Sequence, residues 1–229
     1  MLRLIKKRQY KQESAKGKIP IRLKSLLHKC PWPVLTDKPI YIKQGFDEKK
    51  HYYTSNYHPA IDLQADSGSA VISPIRGRVV YLEYDIRAEG NYIEDLGMDY
   101  VLPAIPDPKF KNLIDLYLWD RENKLVCILC HLDGTSIPNK IKGKRNLDMS
   151  CGPEVEMGEF IGRIGKFPNC SDEDRKIPKA VKRIYGNQQH HIHLETHYYP
   201  TSSETSRDFL IFLNEQRYVF NPLLILQEI

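Results

Sequence analysis

Two histidines near the end of the chain are spaced in a way that suits metal chemistry. His191 and His193 lie two residues apart in an alternating run, and alternate side chains of a β-strand point to the same face. A strand would therefore aim both imidazoles at one region of space. Upstream, His58 precedes Asp62 by four residues, and His131 ends an apolar run between the two pieces. Because His and carboxylate side chains are common ligands of catalytic zinc, these five residues are candidates for a metal site with acid–base catalysts.

The residues around each piece resemble one family, the lysostaphin-type (LytM-like) zinc endopeptidases. Residues 58–80 are similar to that family's first motif, which is His, three residues, Asp, then Gly-x-x-Val and a Gly-x-Val strand. Residues 125–132 are similar to its strand ending in His-Leu, and residues 155–165 to its Val-x-x-Gly-x-x-Ile-Gly hairpin. Residues 191–195 resemble its His-Leu-His-Phe-Glu strand, and residues 221–223 its closing Asn-Pro-Leu. The resemblance thus covers most of the chain.

The resemblance implies a fold and an activity. The implied fold is mainly β, an open antiparallel sheet with a substrate groove, of the duplicated-hybrid-motif type, with few peripheral helices. The implied ligands of one Zn²⁺ per chain are His58, Asp62 and His193, while His131 and His191 are the implied catalytic histidines that do not bind the metal. The implied reaction is zinc-dependent hydrolysis of peptide bonds, with peptidoglycan stem or cross-bridge peptides as the substrate.

The chemistry of these residue types agrees with that division of roles. The sequence has no His-Glu-x-x-His segment, in which a glutamate serves as the general base of a metallopeptidase. A neutral imidazole can instead accept the proton of the attacking water and return it to the leaving amine. Glu195 shares the face of His193, where it either orients that ligand or forms a structural salt bridge. Ile61 and Leu63 are predicted to point away from Asp62 into a core.

A competing motif overlaps the candidate site. Cys127, Cys130 and His131 form a Cys-x-x-Cys-His segment, the attachment pattern of c-type haem. Its flanking apolar residues are typical of a buried strand, so we expect buried thiols and no haem, with a redox or structural zinc pair as the remaining alternatives. The other histidines are predicted to lie outside the site with solvent-exposed roles; they are His28, His51, His190 and His197.

Composition separates a basic extension from the rest of the chain. Of the 229 residues 41% are apolar, and no run reaches the 18 apolar residues of a transmembrane segment. Residues 1–30 carry ten Lys or Arg and one Glu, so contact with anionic polymers is predicted for this arm. It lacks the apolar core of a secretory signal. We therefore expect a protein that is cytoplasmic as synthesised, with reduced cysteines, reaching a cell wall only by a non-classical route or a phage.

The predicted organisation is one peptidase domain with additions. Residues 1–36 form the basic extension and residues 37–229 the domain, in which residues 84–121 are a predicted insertion. Strands are predicted at residues 79–84, 125–132 and 191–196, and helices at residues 21–28, 171–183 and 206–216. Two alternatives to wall hydrolysis stay open. One is a non-catalytic LytM-like module for wall binding or regulation, and the other is a peptidase acting on an intracellular peptide.

Overall fold

A computed structural model describes residues 21–46, 58–84, 113–142, 152–166, 190–200 and 218–228. Eleven strands lie in these ranges: β1 Val34–Leu35, β2 Tyr41–Gln44, β3 Ala60–Gln64, β4 Ala70–Ile72, β5 Gly77–Tyr84, β6 Leu113–Asp120, β7 Leu125–Asp133, β8 Glu154–Val155, β9 Phe160–Arg163, β10 His191–Tyr198 and β11 Tyr218–Phe220. Two short 3₁₀ helices accompany them, at Ile21–Leu26 and Pro222–Leu224. The predicted mainly β class is confirmed.

The larger of two sheets has β10 at its middle. Its strand order is β2-β3-β10-β7-β6-β5-β8, and all of its pairings are antiparallel. β10 pairs with β7 on one side, and on the other side with β3 along its first half and β11 along its second half. The smaller sheet has the order β1-β4-β9. The predicted antiparallel arrangement is therefore confirmed, with the two-histidine strand held on both edges.

The main hydrophobic core draws on both sheets and covers one face of the larger one. It includes Ile61 and Leu63 of β3, which are fully buried as predicted, together with Ile192 and Leu194 of β10. Side chains of the smaller sheet, such as Val71, complete it. Because side chains alternate along a strand, the neighbours of these residues must project from the opposite face. That opposite face carries the candidate site.

The second half of the predicted basic extension, residues 21–36, packs against the rest of the domain. Leu23, on the first 3₁₀ helix, and Cys30 are fully buried in the main core, and Val34 is nearly so. The backbone N–H of Cys30 donates to the carbonyl of Ile225 at 2.8 Å. Residues 21–36 therefore pack as part of the folded domain, because the apolar residues between the lysines and arginines face its core. Residues 1–20 lie outside the described residues.

Other sequence predictions differ in detail. The last part of the predicted insertion, residues 113–120, is the buried strand β6 at the interior of the larger sheet; residues 85–112 lie outside the described residues. The segment predicted to be a hairpin contributes β8 and β9 to different sheets, since β8 pairs with β5 and β9 with β4. The predicted helix at 21–28 is a 3₁₀ helix, and those at 171–183 and 206–216 lie outside the described residues. No helix among the described residues is long and apolar enough to span a membrane.

Candidate metal centre

The register of β3 against β10 brings the first two motifs together. Asp62 lies directly opposite His193, and Gln64 lies opposite His191. His58 precedes β3, and its ring packs edge-on against that of His193 with 5.1 Å between centroids. Pairing of two strands that are far apart in sequence thus places His58, Asp62 and His193 in one buried cluster.

The donor atoms of this cluster are spaced as metal ligands are. Asp62 Oδ1 lies 3.4 Å from His58 Nε2 and 2.9 Å from His193 Nδ1. Ligands bound tetrahedrally to zinc at about 2.0–2.1 Å are about 3.3 Å from one another, so small shifts would seat an ion among the three atoms. Three protein ligands leave a fourth position for water or substrate, as in catalytic zinc sites. His58, Asp62 and His193 can therefore hold a metal ion.

Hydrogen bonds fix which nitrogen of His58 faces the cluster. Its Nδ1 lies 3.0 Å from the carbonyl oxygen of Gly45, which follows β2. A carbonyl only accepts, so Nδ1–H donates to it, and Nε2 is the nitrogen that faces Asp62 and that a metal ion would use. The same arrangement, in which a ligand histidine donates its second N–H to a protein oxygen, is usual around bound metals.

His193 is oriented in the opposite sense by Glu195. Glu195 Oε1 lies 3.0 Å from His193 Nε2, so Nε2–H donates to the carboxylate and Nδ1 faces Asp62. The second oxygen, Oε2, accepts from His197 Nε2 at 2.7 Å. His197 is fully buried, so the prediction that it is solvent-exposed is wrong, although it is not one of the three clustered residues. The prediction fails because β10 runs on to Tyr198, which keeps His197 on the face of His193.

The remaining histidines predicted to lie outside the cluster are placed as follows. His28 and His190 are partly exposed, and neither belongs to the three-residue cluster. His190 lines a cleft beyond the His191 end of the site, together with Lys38, Tyr41 and Asp66. His51 lies outside the described residues.

The electrostatics of the cluster favour a cation. Burial alone would raise the pKa of Asp62, but hydrogen bonds with His193 and His58 hold it well below its usual value. Burial likewise opposes the charge of Glu195, yet hydrogen bonds from His193 and His197 lower its pKa well below the usual value. For His193, burial lowers the pKa, while the bonds to Asp62 and Glu195 outweigh it and raise the value to about 9. In the absence of metal, His193 thus holds a proton between the buried carboxylate of Asp62 and the largely buried one of Glu195. A divalent ion that replaced this proton would neutralise both carboxylates.

His131 and His191 lie beside the cluster, and both are buried. Their ring centroids are 5.0 Å apart, and the His131 centroid is 6.1 Å from that of His193. His191 Nε2 is 3.8 Å from Asp62 Oδ2. The structure therefore brings all five predicted residues into one site, and their individual roles stay predictions.

The backbone at His131 is unusual. Its φ is 72°, a left-handed conformation that costs a residue with a side chain roughly 1–2 kcal/mol. No residue type next to His131 in the sequence indicates this conformation. Such strain persists only where surrounding contacts impose it.

The Cys-x-x-Cys-His segment does not form a joint site. Cys127 belongs to the main core, whereas Cys130 belongs to a second apolar cluster on the opposite face of β7. Both thiols are buried and neither is part of a disulfide, and burial raises the pKa of Cys127 well above its usual value. The prediction of buried strand thiols is confirmed.

Comparisons with known proteins find similar solved structures. No family model matches the sequence, and neither does any curated protein. Helicobacter pylori Csd3 is 15% identical, with a TM-score of 0.44 over 87% of this chain and 33% of that one. A zinc-containing peptidase from Vibrio cholerae is 16% identical, with a TM-score of 0.43 over 86% and 40%. The catalytic domain of lysostaphin from Staphylococcus simulans is 15% identical, with a TM-score of 0.41 over 76% and 92%.

The chain spans about a third of the length of the Csd3 chains that it matches. Lysostaphin is among the similar structures, and it gives its name to the family that the sequence motifs resemble. Since the identities are below 25% and the TM-scores below 0.5, we base the functional proposal on the side chains of this chain.

Proposed function

We propose that the chain is a zinc-dependent endopeptidase that hydrolyses peptide bonds in peptidoglycan stem or cross-bridge peptides. The observation that carries this proposal is the convergence of His58 Nε2, Asp62 Oδ1 and His193 Nδ1 beside two further buried histidines. Three donors with two imidazoles next to them supply both a metal site and proton carriers. We assign His58, Asp62 and His193 as ligands of one Zn²⁺, and His131 and His191 as catalytic residues.

Bound zinc would polarise the scissile carbonyl and lower the pKa of an attacking water. We assign to His191 and His131, which lie beside the ligand cluster, the roles of taking the proton from that water and passing it to the leaving amine. One histidine in its protonated form also stabilises negative charge that develops on the carbonyl oxygen. Their burial strengthens both effects, because charges interact more strongly where water is scarce.

The choice of a peptidoglycan peptide rests on the motif resemblance. The similar solved structures include a zinc-containing peptidase and an antimicrobial peptidase, while the peptidase activity of this chain is proposed from its own side chains and motifs. The proposal also includes delivery of the protein to the cell wall by a non-classical route or a phage, and binding of the basic arm to anionic wall polymers.

Incubation of the zinc-loaded protein with purified peptidoglycan, followed by mass spectrometry of the released fragments, tests this function. New free amino groups at one defined linkage are expected, and they should be absent when His191→Ala replaces the wild type. Release of sugar fragments with intact peptides, or no cleavage of any wall type by metal-loaded protein, would contradict the proposal.

A further inference from the structure

The side chains of β7 change faces at His131. Up to Cys130 the strand alternates regularly, with Leu129 in the main core and Ile128 and Cys130 in the second apolar cluster. Strict alternation would send the side chain of residue 131 into the main core. Instead, Leu132 occupies the main core, so one extra residue has been accommodated between Leu129 and Leu132.

The pairing with β6 shows where that extra residue lies. Ile114 pairs with Leu132, and Leu116 pairs with Leu129. The two residues between them on β7, Cys130 and His131, therefore face the single residue Asp115 on β6. Two residues opposite one define a β-bulge, a device that redirects a side chain and is frequent next to active sites. The left-handed φ of His131 belongs to this bulge.

Asp115 is bonded to the bulge that it faces. Its Oδ1 accepts a hydrogen bond from the backbone N–H of His131 at 3.3 Å, and the residue is only 8% exposed. On the other side of the bulge, the carbonyl of His131 accepts from the backbone N–H of Gly165 at 2.9 Å. Both backbone polar groups of His131 are thus bonded outside the regular β6–β7 ladder.

We propose that Asp115 is a positioning residue that holds the β7 bulge and so directs the His131 ring toward His191. This proposal rests on the proposed function for its catalytic consequence, while its geometric part is independent of it. The carboxylate accepts a hydrogen bond from the His131 N–H, which the bulge removes from the β6–β7 ladder. Without that acceptor, a regular strand with alternating side chains would compete with the bulged conformation. In a regular strand, His131 would point into the main core, away from His191 and His193.

The substitutions follow from the need for an acceptor. Asp115→Asn keeps an acceptor oxygen at the same distance along the side chain, so it is the matched control. Asp115→Ala removes the acceptor, and Asp115→Leu removes it while filling the space, which provides a second variant should alanine at this position fail to fold. His131→Ala and the double variant Asp115→Ala with His131→Ala complete a cycle that separates a direct effect from one acting through His131.

The geometric readout needs no activity. In metal-free protein labelled at histidine, NMR should show cross-relaxation between the ring protons of His131 and His191, whose centroids are 5.0 Å apart. We expect this contact in the wild type and in Asp115→Asn, and its loss in Asp115→Ala or Asp115→Leu. An unchanged contact in the folded alanine or leucine variant would overturn the proposal, whether or not the protein is a peptidase.

The catalytic readout uses the same variants loaded with zinc. Asp115→Ala should retain one zinc per chain with an unchanged KM and a kcat lowered about 10²-fold, the scale expected for a misplaced catalytic group. Asp115→Asn should stay within about threefold of the wild type. In the His131→Ala background, Asp115→Ala should lower kcat no further, and an additional loss of the full 10²-fold there would show that Asp115 does not act through His131. A wild type without turnover would instead refute the proposed function and leave the NMR test to decide the role of Asp115.

Discussion

Replacing Glu195 by glutamine should weaken zinc binding without abolishing it. Both carboxylate oxygens are used, one by His193 Nε2 at 3.0 Å and the other by His197 Nε2 at 2.7 Å. Glutamine offers one acceptor oxygen and one NH₂ group, so only one of the two rings can keep its bond as it stands. If the NH₂ faced His193, that ring would have to place its proton on Nδ1, the atom assigned to the metal. The less costly arrangement turns the oxygen to His193 and forces His197 to change tautomer.

The expected loss of zinc affinity follows from this arrangement of the glutamine side chain. His193 keeps its metal-binding tautomer but loses a charged partner, and partners of this kind are worth about 10–100-fold in metal affinity, or roughly 1.4–2.8 kcal/mol. Glu195→Ala should weaken zinc binding more than Glu195→Gln does. Two buried imidazole N–H groups then lack their acceptor, at a cost of about 1–3 kcal/mol each.

Competition against a zinc-chelating dye, at fixed pH and ionic strength, measures the dissociation constants. Glu154→Gln is the control, since it removes the same charge from an exposed pair with Arg78 away from the site, and it should leave the affinity unchanged. An affinity of Glu195→Gln within about twofold of the wild type, or an equal loss in Glu154→Gln, would refute the role assigned to Glu195.

Three further predictions follow from the site and the core. Zinc binding near neutral pH should release about one proton from His193, whose pKa is about 9 without metal; the apparent affinity then falls as the pH falls below that value, and calorimetry in buffers of different ionisation enthalpy counts the proton. Gly152→Ala should destabilise the fold by about 1–3 kcal/mol or more in urea titrations, because its Cβ would lie only 2.0 Å from the backbone oxygen of Val79. Removal of residues 1–20 should spare the fold and lower binding to anionic wall polymer at low salt, whereas removal of residues 1–36 should destabilise it, with the burial of Leu23 alone worth about 1.5–3 kcal/mol.

Local spacing made much of the site predictable. His191 and His193 share a face because a strand has a period of two, and the same rule correctly placed Ile61 and Leu63 in the core. Applied to a longer strand, it also includes His197, which the sequence-based strand ending at residue 196 left out. The last residues of β10, up to Tyr198, pair with β7 on one side and with β11 on the other, and both partners are distant in sequence.

Features that depend on long-range register were not predictable. Asp115 faces His131 only because β6 and β7 pair with a bulge at that point, and no local pattern marks an aspartate in an apolar strand as an acceptor for a distant backbone N–H. The end of the basic arm was missed for a related reason. Its charge density suggests a solvated segment, whereas Leu23 is buried in the main core and Cys30 pairs with Leu226 near the far end of the chain.

The most direct test of the central claim is the zinc content of two variants of one strand. His193→Ala and His191→Ala remove the same chemical group two residues apart on one face of β10. After purification without chelator, elemental analysis should find about one zinc per chain in the wild type and in His191→Ala, and almost none in His193→Ala, because two remaining ligands hold the ion poorly. Turnover should fall in both variants, by roughly 10²–10⁴-fold for His191→Ala. Zinc retained by His193→Ala and lost from His191→Ala would contradict the assignment of His58, Asp62 and His193 as the metal centre.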